Sequence, residues 1–184
     1  MYKLTAIILA RNEEKMIEEA LKSLSFCDEI IVIDNSSEDK TREISEKNKA
    51  KVYEFKSNNF SDLRNFGLQK AQGEYILYLD ADERIDEQLQ KEIKRVISED
   101  SNYSAFKLNR KNFYLGKNEW PYIEKLERLF KKDKLKKWVG DLHESPIVDG
   151  EIGRLDGFII HFTHRDLESM LKKTIDWSTT ESLL

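Results

Sequence analysis

Asp80 and Asp82 stand one residue apart at the end of a short apolar run, Tyr75 to Leu79, and Glu83 follows directly. Carboxylates at that spacing suit a hard divalent cation such as Mg²⁺ or Mn²⁺, which prefers oxygen ligands. The run is strand-like, and in α/β sheets ligands gather at the carboxyl ends of strands. A cation held there suits a phosphate-bearing substrate. The bland alternative is a capping loop ahead of a helix near Ile85, with Glu83 as surface decoration.

Three other segments bring polar groups to or near the same edge. Arg11, Asn12 and Glu13 follow the run Leu4 to Leu9. Asp34 ends the run Glu29 to Ile33 and precedes Asn35-Ser36-Ser37. A carboxylate there can accept hydrogen bonds from a base or ribose, or cap its own turn. Arg64 and Asn65 lie near the start of a helical stretch. The Arg64 fork suits phosphate or a base, or a plain surface ion pair. No GxGxxG or GxxxxGK[ST] follows the first run, which argues against ordinary dinucleotide and P-loop binding.

A second cluster is Trp138-Val139-Gly140-Asp141-Leu142-His143-Glu144. Asp141, His143 or Glu144 could take a proton from a hydroxyl, and Trp138 could stack on a sugar or fill the core. His143 reads better as structural. His161 and His164 follow the last apolar run, and an imidazole can complete a site begun by aspartates. The basic stretch Lys125, Arg128, Lys131, Lys132, Lys134, Lys136 and Lys137 could meet a phosphorylated or lipid-linked acceptor or an anionic membrane. It could equally be a solvated loop face.

The elements that must position these groups alternate. Strands are expected at Leu4–Leu9, Glu29–Ile33, Ala50–Phe55 and Tyr75–Leu79. Helices are expected after Asn12 as cap, over Thr41–Asn48 behind a Ser36/Asp39 capping box, over Ser61–Lys70, and after Asp86. That is the rhythm of an open, mostly parallel sheet with helices on both faces. Beyond residue 100 it breaks. Ser104–Leu108, Leu126–Phe130 and Phe158–Phe162 read as further strands, some antiparallel, and Asp166 onward reads as helical.

The 184 residues carry 39% hydrophobic and 36% charged side chains, a globular composition with room for one good core. A formal net charge of −4 offers no basic field for nucleic acid. Cys27 is the lone cysteine, which excludes an internal disulfide and a cysteine zinc cluster. The start MYKLTAIILARNEE does not read as a signal peptide, and no apolar run approaches the roughly 18 residues of a membrane span. The expected compartment is the cytosol. The abrupt end at Leu184 reads as a truncation.

Taken in order, four segments resemble the inverting glycosyltransferases of family 2, with the GT-A fold. They are Ala10-Arg11-Asn12-Glu13-Glu14, Ile33 through Thr41, Asp62-Leu63-Arg64-Asn65-Phe66-Gly67, and Gly73-Glu74-Tyr75 through Asp80-Ala81-Asp82-Glu83. Gly140 through Glu144 and Ile160-His161 look like a subgroup of lipopolysaccharide core β-glucosyltransferases of the WaaE type. The resemblance implies one α/β GT-A domain over residues 1–184, with a small antiparallel extension. Residues 1–100 would be its nucleotide-sugar half and 101–184 its acceptor side. It implies a nucleotide-sugar donor, most often UDP-linked, and Mg²⁺ or Mn²⁺. Asp34 would contact the base, Glu13 and Arg11 the nucleoside side, and Arg64 the base or diphosphate. Asp80 would lie near ribose or metal, with Asp82 the chief metal ligand and His161 a further one. Glu144, ahead of Asp141, would be the base that deprotonates a glycan or lipid-linked acceptor, in the cytosol or at the inner membrane face.

Two departures qualify the resemblance. Members of the subgroup extend well beyond 184 residues, and the Gln-x-x-Arg-Trp signature of processive synthases is missing, which favours single transfers. The rival readings are a nucleotidyltransferase, which wants a Gly-rich basic loop near the first strand, and a non-catalytic nucleotide- or carbohydrate-binding protein.

Overall fold

The computed structural model describes residues 2–116, 118–140, 144–163 and 171. Its first part alternates as expected: β1 (Leu4–Ala10), α1 (Ile17–Ser23), β2 (Glu29–Asp34), α2 (Thr41–Lys47), β3 (Lys51–Glu54), α3 (Phe60–Lys70) and β4 (Tyr75–Asp80). Then follow β5 (Glu83–Ile85), α4 (Glu87–Ser98), β6 (Ala105–Tyr114), β7 (Asn118–Glu119), β8 (Glu124–Lys131), β9 (Leu135–Val139), β10 (Ser145–Val148) and β11 (Ile152–Phe162).

Every residue of β1 is buried, because helices cover both faces of the sheet. On one face Ala6, Ile8 and Val32 pack with Ile17, Ala20 and Leu21 of α1 and Leu89, Ile93 and Val96 of α4. On the other, Ile7, Ile31 and Ile33 pack with Leu63 of α3 and with Tyr78, Phe130 and Trp138. Trp138 is therefore a core residue, and its alternative role as a sugar platform is excluded by burial.

The strand order is β3-β2-β1-β4-β8-β6-β11-β5, with β7 on the edge of β6. β3, β2, β1 and β4 run parallel, β8 is antiparallel to both β4 and β6, and β11 runs parallel to β6. β5 then pairs antiparallel with β11, setting Glu83 opposite His161 and Ile85 opposite Ile159. Only Ala81 and Asp82 separate β4 from β5 in the chain. The path β4-β8-β6-β11-β5 thus curls into a ring that this two-residue turn closes covalently. A separate two-stranded hairpin, β9 and β10, packs on α3. Asn65 clamps it there, donating to the Trp138 carbonyl at 2.9 Å and accepting from the Trp138 N–H at 2.8 Å. Among the described residues no helix is long and apolar enough to cross a membrane.

Several local expectations change. Asn12 does not cap α1, which starts only at Ile17; it adopts a left-handed φ of 56° and binds a neighbouring loop. Ser36 is left-handed too, at φ 57°, and makes no capping box; the Thr41 N–H goes to Asp39. Asp86 does cap α4, its Oδ1 accepting the Leu89 N–H at 2.7 Å. β5, β7, β9 and β10 were not expected, and β6 and β11 run longer than their apolar cores. The helix expected from Asp166 falls outside the described residues, apart from the helical Leu171.

Gly157 of β11 is where α4 comes closest to the sheet. A Cβ there would stand 2.3 Å from the Leu89 backbone nitrogen and 2.5 Å from its Cα. Backbone atoms cannot swing aside, so Gly157→Ala should destabilise the fold by about 1–3 kcal/mol, measured by urea denaturation.

Candidate active site

The site is built at the carboxyl ends of β1, β2 and β4. The loops after β1 and β2 are stitched together. Asn12 N–H donates to Ser37 Oγ (3.0 Å), Glu38 N–H to Asn12 Oδ1 (2.8 Å), Glu13 N–H to Thr41 Oγ1 (2.8 Å) and Glu14 N–H to Asp39 Oδ2 (3.0 Å). These bonds fix a rim on which Arg11 is exposed and Glu13 partly buried. On the far side of β2, Asn35 exchanges two hydrogen bonds with the backbone of Ser57.

Asp34 lies on the floor of this rim and is fully buried. Its Oδ2 accepts the Ser37 N–H at 3.2 Å, so the turn-capping reading holds for that oxygen. Oδ1 is buried with no hydrogen-bond partner. A buried carboxylate oxygen without a donor is costly. A ligand N–H or O–H would supply that donor.

The second half of the site is a charged network inside the ring of strands. Asp80 Oδ1 accepts from Arg64 Nη2 at 3.2 Å and Oδ2 from Arg128 Nη2 at 3.0 Å. Burial opposes ionisation of Asp80, but Arg128, Arg64 and, farther off, Arg110 and His161 outweigh it and hold the carboxyl well below the usual carboxylate range. Glu83, fully buried, accepts the Asp80 N–H at 2.9 Å through Oε2 and pairs with Arg110 at 3.0 Å through Oε1. It is not surface decoration. Arg64 is itself buried, 4.9 Å over the Trp138 ring, and gives Nε and Nη2 to Glu144 Oε1 at 3.0 and 2.8 Å.

Asp82 Oδ2 lies 3.3 Å from His161 Nε2. The tautomer follows from the next partners. Glu124 can only accept, so Asn112 turns its Nδ2 to Glu124 (2.8 Å) and its Oδ1 to His161 Nδ1 (2.7 Å). His161 therefore donates from Nδ1 and points its Nε2 at the Asp82 carboxylate. Asn112 holds the ring through its far nitrogen, as partners of metal-binding histidines do, and Asp82 Oδ2 with His161 Nε2 would suit a divalent cation. Among the described residues no third His, Cys, Asp or Glu joins them in a cluster. Asp80, expected beside ribose or metal, has both oxygens on arginines.

The structure thus gathers Asp80, Asp82, Glu144, Arg64 and His161 around one network and sets Asp34, Glu13 and Arg11 on the adjoining rim. Asp141, His143 and His164 lie outside the described residues. Sequence reasoning missed Arg110 and Arg128. Arg128 had been grouped with a basic loop face, yet it lies on β8, buried against Asp80. Arg128 is the extra residue where β8 shifts register between the Phe106–Leu129 and Lys107–Glu127 pairs, so alternation along the strand does not announce it. The lysines of that stretch lie on or beside β8 and β9, and Lys131 and Lys136 pair with Asp100 and Asp149.

The chain was compared with known proteins. The family model described as glycosyl transferase family 2 matches residues 5–150. The lipopolysaccharide core biosynthesis glycosyltransferase LpsC of Rhizobium meliloti is 22% identical over 97% of this chain and 70% of its own length. Among solved structures, Staphylococcus aureus TarS 1–349 in complex with UDP-GlcNAc aligns over 91% of this chain and 60% of that chain, with TM-score 0.67 and 20% identity. Glucosyl-3-phosphoglycerate synthase from Mycobacterium tuberculosis, solved with Mn²⁺, UDP and glucosyl-3-phosphoglycerate, aligns over 92% of this chain and 75% of that chain, with TM-score 0.57 and 14% identity. The fold is the expected GT-A arrangement, a curled, mostly parallel α/β sheet with a small antiparallel hairpin. By its family match over most of its length, the chain belongs to glycosyl transferase family 2.

Proposed function

We propose that the chain transfers a sugar, with inversion, from a UDP-sugar to a hydroxyl of a glycan or lipid-linked acceptor in cell-envelope glycan synthesis. The work is done in the cytosol, beside the inner membrane face where the acceptor is lipid-linked. The observation that carries this reading is the donor-less Asp34 Oδ1, on the rim adjoining the network that holds the Asp82–His161 pair. A uracil offers an imide N–H to an acceptor oxygen, and the buried carboxylate has one to give it. Names among the relatives, LpsC and the UDP-GlcNAc complex of TarS, support the donor and pathway class.

The roles follow from the chain's own groups. Asp34 orients the base and the stitched loops hold the nucleoside. Asp82 and His161 would hold a divalent cation, whose chemistry when bound would be neutralisation of diphosphate charge. Arg64 and Arg128 keep Asp80 ionised beside them. Glu144, or Asp141 three residues before it, takes the proton of the attacking hydroxyl. One in-line displacement inverts the anomeric carbon, and no enzyme nucleophile is needed.

Calorimetric titration with UDP, GDP, ADP and CMP, with and without Mn²⁺, tests the donor site. UDP should bind preferentially, and more tightly with Mn²⁺. Asp82→Ala should remove the Mn²⁺ enhancement while leaving metal-free UDP binding within about twofold. Identical curves for wild type and variant would remove the metal assignment, and preference for another nucleotide would remove uridine.

A further inference from the structure

Four of the exposed large hydrophobic side chains fall in one short stretch: Leu115, Trp120 (50% exposed), Tyr122 (71%) and Ile123. The stretch forms the β6–β7 turn and its return towards β8. It is continuous with the charged network through β6. Alternate residues of a strand share a face, and Arg110, Asn112 and Tyr114 alternate along β6. Arg110 pairs with Glu83, Asn112 with His161, and Tyr114 meets Trp120 edge-to-face with ring centroids 5.8 Å apart. The Trp120 N–H donates to the Asn112 carbonyl at 2.8 Å, which ties the return segment to the residue supporting His161. One face of one strand thus runs from the buried network to an open aromatic pair. The pair begins two residues beyond Asn112, roughly 7 Å along the strand.

We propose that Tyr114 and Trp120 form a stacking platform for a neutral pyranose ring of the acceptor. The inference rests on the glycosyltransferase reading above and adds an acceptor subsite to it. Charge selects the ligand. Asn118 is exposed opposite Tyr114, Glu124 is paired with Arg110, and on the other face of the ribbon Glu119 is paired with Lys111. The amides and the paired charges can exchange hydrogen bonds with sugar hydroxyls, and charges balanced in pairs offer no net cationic field to a phosphorylated acceptor or an anionic bilayer surface. Tyr and Trp combine a flat apolar face with a polar tip, which matches a ring whose faces carry C–H groups and whose edges carry O–H groups. A surface built to enter lipid would not interleave acids with its aromatics.

The test is saturation-transfer NMR on the 184-residue chain with UDP and Mn²⁺. The probes are the methyl pyranosides of glucose, galactose and N-acetylglucosamine. At least one should receive saturation on its ring protons. Trp120→Ala should weaken that binding on the order of 10-fold, Trp120→Phe should restore most of it, and UDP titration should be unchanged in both. Tyr114→Ala serves as a second variant and should also weaken the sugar without moving UDP. A sugar signal indifferent to both variants, or none with any probe, overturns the platform while UDP binding keeps the donor site standing. Trp120-dependent sedimentation with phosphatidylglycerol vesicles would assign the patch to membrane and likewise overturn it. Failure of UDP to bind any form would overturn the donor reading and this one with it.

Discussion

Replacing Arg128 by Met should destabilise the fold by about 3 kcal/mol, the scale expected when one partner of a buried ion pair is removed. Arg128 is buried and reaches Asp80 Oδ2 at 3.0 Å, on the carboxylate that Arg64 also binds. Without Arg128 that oxygen loses its charged partner and the burial opposing ionisation gains weight. The pH dependence gives a second readout. Asp80 is depressed in the folded state, so its contribution to stability is fully present above the ordinary aspartate value near 4 and is lost as pH falls through the lower folded value. Arg128→Met raises that folded value, and the acid-unfolding midpoint should therefore move up. Pairing Arg128→Met with Asp80→Asn should recover part of the loss, because the second change removes the stranded charge. Urea and acid titrations that superimpose on wild type would show that Asp80 does not depend on Arg128.

Glu144→Gln should lower turnover by about 10²–10⁴-fold with UDP affinity kept within a few-fold. The amide oxygen of Gln can still accept from Arg64, which Glu144 now binds through Oε1 alone. What the substitution removes is the capacity to take a proton. The assay is release of UDP from the UDP-sugar that binds best, with water or a supplied glycan as acceptor. If Glu144→Gln turns over normally and Asp141→Asn does not, Asp141 is the base. If both turn over, neither is.

The parallel half of the sheet was legible because its strands are buried on both faces and so read as unbroken apolar runs. Leu4–Ala10 and Tyr75–Asp80 announce themselves that way, and the carboxylates at the ends of their runs fall where a ligand is expected. The second half was harder for the opposite reason. Glu83-Arg84-Ile85 is three residues long and two of them are charged, so β5 carries no apolar signal. β9 reads Leu-Lys-Lys-Trp-Val and β10 contains Pro146. Each looks like loop until its partner is known. The arginine–carboxylate network was hidden by the same habit of reading charge as surface. Glu83 pairs with Arg110 and Asp80 with Arg128, and nothing local in the sequence says that they will meet. Asn12 failed as a helix cap because its side chain found a backbone N–H in another loop, Glu38, rather than in its own.

The covalent closure between β4 and β5 has a consequence for how the protein is made. Synthesis delivers the amino-terminal strands first, and pairings between distant segments carry the largest loop-closure cost. All the bonds that stitch the loops around Asp34 lie within the first sixty residues. Asp82 meets His161 only when β11, the last described strand, zips against β5 and β6. The residues that stitch the Asp34 rim are therefore synthesised long before the partner of the second aspartate. A chain stalled or clipped before β11 would carry the residues of the Asp34 rim without the partner of Asp82.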